Sequence, residues 1–244
     1  MNVKGIFFDL GGTLFSYRGR LGGGGVRYVM QELGIDASPE AVGHAWGQAS
    51  REVGTHYGGQ RYFLHKDLFR DTVTQFLAEF DHVPNADLLE EFHLAQRDAM
   101  LENLPLRDEC HDALAALKQH GLYLSIVSNI DDDYLYPLVK KHGLDDVLDH
   151  CTSSEEARSC KPDAEIFHYS LKKSGLDRSE VLFVGDSLHH DVAGADQVGM
   201  RSVRIVEEGV QTPLTHGLSA TADPTFEIGS LTELVDIVAQ HNGG

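Results

Sequence analysis

Val3 to Phe8 is an apolar run interrupted only by Lys4, and it stops abruptly at Asp9-Leu10-Gly11-Gly12-Thr13. A short run without polar alternation, closed by a glycine turn, predicts a strand buried on both faces in a parallel sheet. Four glycines follow in Leu21-Gly22-Gly23-Gly24-Gly25. A dinucleotide-binding fingerprint would need a strand directly before them, so they read as a flexible hinge. From Val26 to about Asn103 the spacing of apolar residues is helical throughout. One helix ends at Gly34, Ser38-Pro39-Glu40 opens a second, and Phe63 to Phe80 and Ala86 to Leu101 form two more.

Beyond Pro105 helices and strands alternate. Helices are expected over Asp108–His120, Asp132–His142, Asp163–Ser174 and Asp191–Val198, each followed by glycine. Strands are expected over Tyr123–Val127, Val147–Thr152, Val181–Val184 and Ser202–Ile205. Ser230-Leu231-Thr232-Glu233 reads as a capping box opening a last helix to His241. This rhythm implies right-handed crossovers and an α/β fold with a Rossmann-like, doubly wound parallel sheet. The expected division is an α/β core from residues 1–16 and 104–244, with residues 17–103 inserted as an α-helical cap domain.

Composition narrows the function. The 244 residues are 41% hydrophobic and 24% charged, enough to bury a core. Twenty basic against 38 acidic residues give 20 − 38 = −18. With no Lys/Arg run to form a local patch, nucleic acid and anionic membrane are not expected partners. No stretch reaches the roughly 18 apolar residues of a membrane span, and the N-terminus lacks a signal-peptide cleavage pattern. Cys110, Cys151 and Cys160 show neither pairing nor CxxC spacing, so they read as reduced thiols of a cytoplasmic protein.

Ligands of open parallel sheets bind beyond the carboxyl ends of the strands. Three expected strand ends carry polar residues: Asp9 and Thr13, Ser128 and Asn129, and Asp186 and Ser187. Lys161 stands in Cys160-Lys161-Pro162-Asp163, just before a helix. In this order, Phe8-Asp9-Leu10-Gly11-Gly12-Thr13-Leu14, Val127-Ser128-Asn129, Lys161-Pro162 and Val184-Gly185-Asp186-Ser187 through Asp191 resemble the four motifs of the haloacid dehalogenase-like superfamily.

The resemblance implies a phosphohydrolase that acts on a small phosphorylated metabolite. Asp9 would be the nucleophile and form an aspartyl-phosphate. Asp9, Asp186 and the Gly11 carbonyl would hold Mg2+, with Asp191 behind them. Thr13 would orient the nucleophile. Lys161, Ser128 and the backbone N–H groups near Asn129 and Gly12 would bind the phosphoryl oxygens. A monomer or homodimer is expected.

The family's phosphatases usually carry a second Asp, the general acid/base, two residues after the nucleophile, where this chain has Gly11. Losing such a group costs about 10²–10⁴ in rate. Gly11→Asp is therefore expected to raise turnover of alkyl phosphates. The alternatives are a catalytically impaired binding or regulatory protein, or a metal-free 2-haloacid dehalogenase, a class that also lacks this Asp. His189 and His190 are adjacent and are not expected to share a metal, and Asp131 to Asp133 read as first-turn helix residues. Arg51, His56, Tyr57, Arg61 and His65 are the cap residues considered for substrate contact, and Trp46 is expected in the cap's core.

Overall fold

The computed structural model describes residues 2–18, 23–209 and 222–242. They divide into two compact units, Met1–Gly19 with Pro105–Gly244, and Arg20–Leu104.

The first strand, β1 (Gly5–Phe8), is fully buried, as its unbroken apolar run requires. The chain then enters the helical unit. It comprises α1 (Gly24–Glu32), α2 (Pro39–Tyr57), α3 (His65–Ala78) and α4 (Ala86–Asn103). The Ser38 side chain accepts from Ala41 N, as the sequence implies, and the Asn85 side chain likewise caps α4 by accepting from Leu88 N. Val29, Val73, Phe76, Leu77 and Phe92 form this unit's core. Trp46 packs against it, edge-on to Phe76 with ring centroids 5.7 Å apart.

The hinge reading of the glycines is corrected. Leu21 and Gly22 lie outside the described residues, but Gly24 and Gly25 are the first turn of α1. A Cβ built on Gly24 would strike Ala99 Cβ and lie 3.0 Å from Ala95 O, and one on Gly25 would lie 2.6 Å from the Phe92 ring. These glycines let α1 approach α4 closely; their use is packing rather than freedom.

The α/β unit continues with α5 (Cys110–Gln119), β2 (Tyr123–Ser128), α6 (Asp132–Lys141) and β3 (His150–Ser153). It goes on through α7 (Ser154–Ala157), α8 (Ala164–Ser174), β4 (Val181–Gly185), α9 (Ala193–Gln197), β5 (Arg201–Ile205), β6 (Phe226–Ile228) and α10 (Leu231–Asn242). The six strands are parallel in the order β3-β2-β1-β4-β5-β6. Strand order therefore reverses at central β1, which opens a crevice at the carboxyl ends of β1, β2 and β4. Phe7, Val127, Phe167 and Phe183 anchor a core against the sheet.

Some local expectations shift. β3 begins at His150 rather than Val147, because Val147 and Leu148 both donate to Leu144 O in a turn. A single π turn, Leu188–Val192, precedes α9, so helical structure begins three residues before Asp191. At α10 the Glu233 carboxylate accepts from Gly229 N (3.1 Å) and the Ser230 hydroxyl (3.3 Å), a looser cap than the expected box. Strand β6 was not expected, since three residues carry no readable period. The three cysteines are free. No helix among the described residues is long and apolar enough to cross a membrane.

Candidate active site

Asp9 extends β1 by one ladder bond, Asp9 N to Val184 O at 2.8 Å, and so emerges at the switch point between β2 and β4. The parallel register brings the end of β2 alongside it, and the Ser128 hydroxyl donates to Asp9 Oδ1 at 2.9 Å. Lys161 arrives from the loop before α8. Asn129 holds its backbone from both sides, accepting from Lys161 N at 2.6 Å and donating to Lys161 O at 2.9 Å. The Asn129 side chain is thus a brace for the lysine, and only its backbone remains for a substrate oxygen.

From that braced position the Lys161 ammonium, 3% exposed, donates to Asp9 Oδ1 and Asp191 Oδ1, each at 2.6 Å. Asp191 stands on the π turn, and its Oδ2 accepts from Ser187 N at 2.9 Å. Its carboxylate packs directly over Gly185, where any Cβ would collide with it. Asp186 follows β4 and completes the cluster, in which ligand atoms of Asp9, Asp186 and Asp191 lie within 4.8 Å of one another. Sequence-expected Asp9, Ser128, Asn129, Lys161, Asp186 and Asp191 are therefore brought together by the structure.

Burial opposes the Lys161 charge, yet the Asp191 and Asp9 carboxylates outweigh it and hold its pKa above the usual lysine value. Burial pushes the Asp191 carboxyl up to about 6, against the pull of Lys161. The ammonium bridges two of three carboxylates whose ligand atoms converge here, a grouping that a small divalent cation would fit. The donors are all hard oxygens, which also suits such an ion. His189 and His190 lie outside this cluster and pack edge to face, ring centroids 5.0 Å apart.

Two expected contributions are corrected. Thr13 does not orient Asp9 through its hydroxyl, which is buried without a hydrogen-bond partner among the described residues. The Gly12 N–H is not free for a phosphoryl oxygen, because it donates to Phe15 O at 2.7 Å. The cause is the same tight turn: Leu14 N and Phe15 N fold back onto Leu10 O at 3.0 and 2.9 Å, consuming the loop's own polar groups. Gly12 has a steric role instead. At φ 76° its Cα faces the Asp186 carboxylate so closely that a side chain would overlap it.

Sequence reasoning missed three residues. Arg107, 8% exposed, donates from Nε to Thr13 O and from an η nitrogen to Gly12 O, both at 2.8 Å, clamping the nucleophile loop. Glu207 lies 3.4 Å from Arg107, accepts from the Ser16 hydroxyl at 2.7 Å and pairs with Arg18 at 2.8 Å. Between these anchors stands Tyr17, whose phenol covers Gly11. A Cβ on Gly11 would run into the Tyr17 hydroxyl and lie 2.8 Å from Cζ. Burial, then the charges of Asp9, Asp186 and Asp191, raise the Tyr17 pKa well above the usual tyrosine value. The expectation that Gly11→Asp would simply add an acid is corrected, since Tyr17 fills that space.

A cleft of about 50 Å³ opens beside the cluster, lined by Gly12, Tyr17, Asp186, Arg204 and Glu207 among others. In the helical unit, Tyr57 and His65 are buried, and the Tyr57 hydroxyl is committed to Asp71 at 2.6 Å, which removes Tyr57 as a free substrate contact. Arg51, His56 and Arg61 are exposed.

The haloacid dehalogenase-like hydrolase family model matches residues 3–199. A ribulose-1,5-bisphosphate 5-phosphatase of Halopiger xanaduensis is 27% identical over 96% of this chain and 98% of its own length. An (S)-2-haloacid dehalogenase of Pseudomonas sp. strain YL is 30% identical over 86% of this chain and 88% of its own. The magnesium-bound HAD-hydrolase YfnB of Bacillus subtilis shares the fold with a TM-score of 0.77, at 20% identity over 98% of this chain and 99% of that one. The chain belongs to the haloacid dehalogenase-like hydrolases.

Proposed function

We propose that this hydrolase is a Mg2+-dependent phosphohydrolase of a small phosphorylated metabolite, with Asp9 as its nucleophile. The acidic cluster carries the reading: ligand oxygens of Asp9, Asp186 and Asp191 converge within 4.8 Å of one another, a set of hard donors that a carbon-attacking site would not need. Asp9, Asp186 and the Gly11 carbonyl would hold the ion, and Asp191 would act through Lys161. Bound there, Mg2+ would draw these oxygens together and polarise a phosphoryl oxygen.

The chain's own groups do the rest. Asp9 Oδ1 accepts from both Ser128 and Lys161, while Oδ2 makes no hydrogen bond among the described residues. Oδ2 is therefore the oxygen presented for attack. Its bond to phosphorus forms as the bond to the leaving oxygen breaks, and that oxygen takes a proton from water. A second water then attacks phosphorus, breaks the aspartyl-phosphate, gives up its proton and restores the carboxylate. Ser128 and Lys161 face the equatorial oxygens, where charge resides in the transition state. The three free cysteines fit a reducing, cytoplasmic setting.

The test is p-nitrophenyl phosphate hydrolysis that requires Mg2+, is lost on chelation and vanishes in Asp9→Asn. Equal residual rates in wild type and Asp9→Asn would remove the enzymatic reading in favour of a binding protein. A second reading, 2-haloacid hydrolysis without metal, draws on the missing carboxylate at position 11 and the 30% identical dehalogenase. Chloride release from 2-chloropropionate in chelator, with no phosphatase activity, would establish it instead.

A further inference from the structure

The site lacks a carboxylate at position 11, yet the space for that side chain is filled. The Tyr17 phenol occupies it, with the hydroxyl where a Cβ on Gly11 would begin and the ring 3.0 Å from a Cβ built on Gly12. Tyr17 lines the same small cleft as Asp186. Its placement is fixed from both flanks. Ser16 donates its N–H to Pro105 O at 2.9 Å and its hydroxyl to Glu207 at 2.7 Å. Arg18 donates its N–H to Ser16 Oγ at 3.0 Å and pairs with Glu207 at 2.8 Å. Glu207, buried with Arg107 beside it, ties this segment to the loop that carries Asp9. A large polar side chain has thus been built into the vacant position, with its one donor turned to the reacting end of the sheet.

Resting on the phosphohydrolase reading, we propose that Tyr17 contacts the substrate in place of a residue-11 side chain, its hydroxyl donating a hydrogen bond to the leaving oxygen. The proton stays on the phenol, and the leaving oxygen draws its own from water. Charge builds on that oxygen as its bond to phosphorus breaks, so the hydrogen bond strengthens in the transition state. The benefit scales with the basicity of the leaving group. Nitrophenolate needs little help; phenolate and alkoxides need more.

The test compares a series of aryl phosphates from p-nitrophenyl to phenyl phosphate in wild type, Tyr17→Phe and Asp9→Asn, with Mg2+. Tyr17→Phe removes one oxygen and keeps the ring over Gly11, so the thermal midpoint serves as the folding control. Expected is a loss of about 10- to 100-fold on phenyl phosphate, under about threefold on p-nitrophenyl phosphate, and a steeper dependence of rate on leaving-group basicity. A second readout is calorimetric binding of orthovanadate, expected to weaken about 5- to 30-fold in Tyr17→Phe. Equal losses across the series, or none, with unchanged vanadate affinity would overturn the donor role while Asp9-dependent turnover leaves the hydrolase reading standing. A wild type that neither turns over aryl phosphates nor binds vanadate would overturn both. Space is tested separately: Gly11→Asp should recover phenyl phosphate turnover in a Tyr17→Ala background and lower it alone. Recovery in both backgrounds would show that Tyr17 does not own that position.

Discussion

With Lys161 replaced by Met, the Asp9 and Asp191 carboxylates would stay buried without the ammonium that bridges them at 2.6 Å on each side. Breaking a buried pair by removing one partner costs about 3–5 kcal/mol, because the stranded charge has lost its compensation. Lys161→Met should therefore lower unfolding stability by about that amount in urea titrations and abolish Asp9-dependent hydrolysis. A loss below about 1 kcal/mol would mean the triad is not a closed electrostatic unit. Lys161 could be read from sequence because strand ends and helix starts are the places where a parallel sheet presents chemistry, and Asp9, Ser128 and Asp186 were legible for the same reason. Tyr17, Arg107 and Glu207 were not. Arg107 reaches across 94 residues to a backbone carbonyl, and Glu207 across 191 to Ser16, so neither pairing leaves a local pattern. Gly11 and Tyr17 are close in the chain, but only the folded turn shows that one fills the space of the other.

Elements were legible where apolar periodicity ran long enough to identify them, as in β1 and the four helices of the inserted unit. They were not where tertiary contact decided, as in three-residue β6 and the glycines opening α1. Those glycines give a direct contrast between propensity and packing. A flexible hinge would gain about 0.4–1 kcal/mol from Gly24→Ala by narrowing the unfolded ensemble. With Ala99 and the Ala95 carbonyl pressed against the same spot, Gly24→Ala should instead destabilise by about 1–3 kcal/mol, seen as a lower urea midpoint. A rise in midpoint would restore the hinge. Strand β3 offers a pH-dependent test. Burial, helped by the Lys173 charge, lowers the His150 pKa to about 4, and its ring nitrogens meet the Tyr123 hydroxyl at 2.6 Å and the Ser170 hydroxyl at 3.0 Å. The unfolded chain takes up this proton near pH 6.5 and the folded protein only near 4, so stability present above 6.5 is lost as pH falls toward 4. Allowing for the ring's partial exposure, the loss is on the order of 1–2 kcal/mol. His150→Gln should flatten that part of the stability profile, and an unchanged slope would assign it to other groups.

At the scale of the molecule, a net charge of −18 surrounds a site proposed to take an anion. The conflict is met locally: β1 lies where strand order reverses, so Lys161 and the carboxylates that would hold a cation converge on a single point. That remedy works at contact distance and does nothing for approach. Exposed charges act over a Debye length, about 10 Å at 0.1 M salt and about 30 Å at 0.01 M. A phosphomonoester dianion approaching at low ionic strength is repelled by the surface before the buried ammonium can attract it. In saturating Mg2+, kcat/KM for a phosphomonoester should therefore rise about two- to fivefold as NaCl goes from about 10 to 150 mM, while kcat stays level. The effect belongs in KM because screening alters encounter and leaves the groups around Asp9, shielded by burial, almost untouched. A cationic local field strong enough to dominate would reverse the sign, so a fall in kcat/KM with salt would show that the approach is steered by the site rather than hindered by the whole molecule.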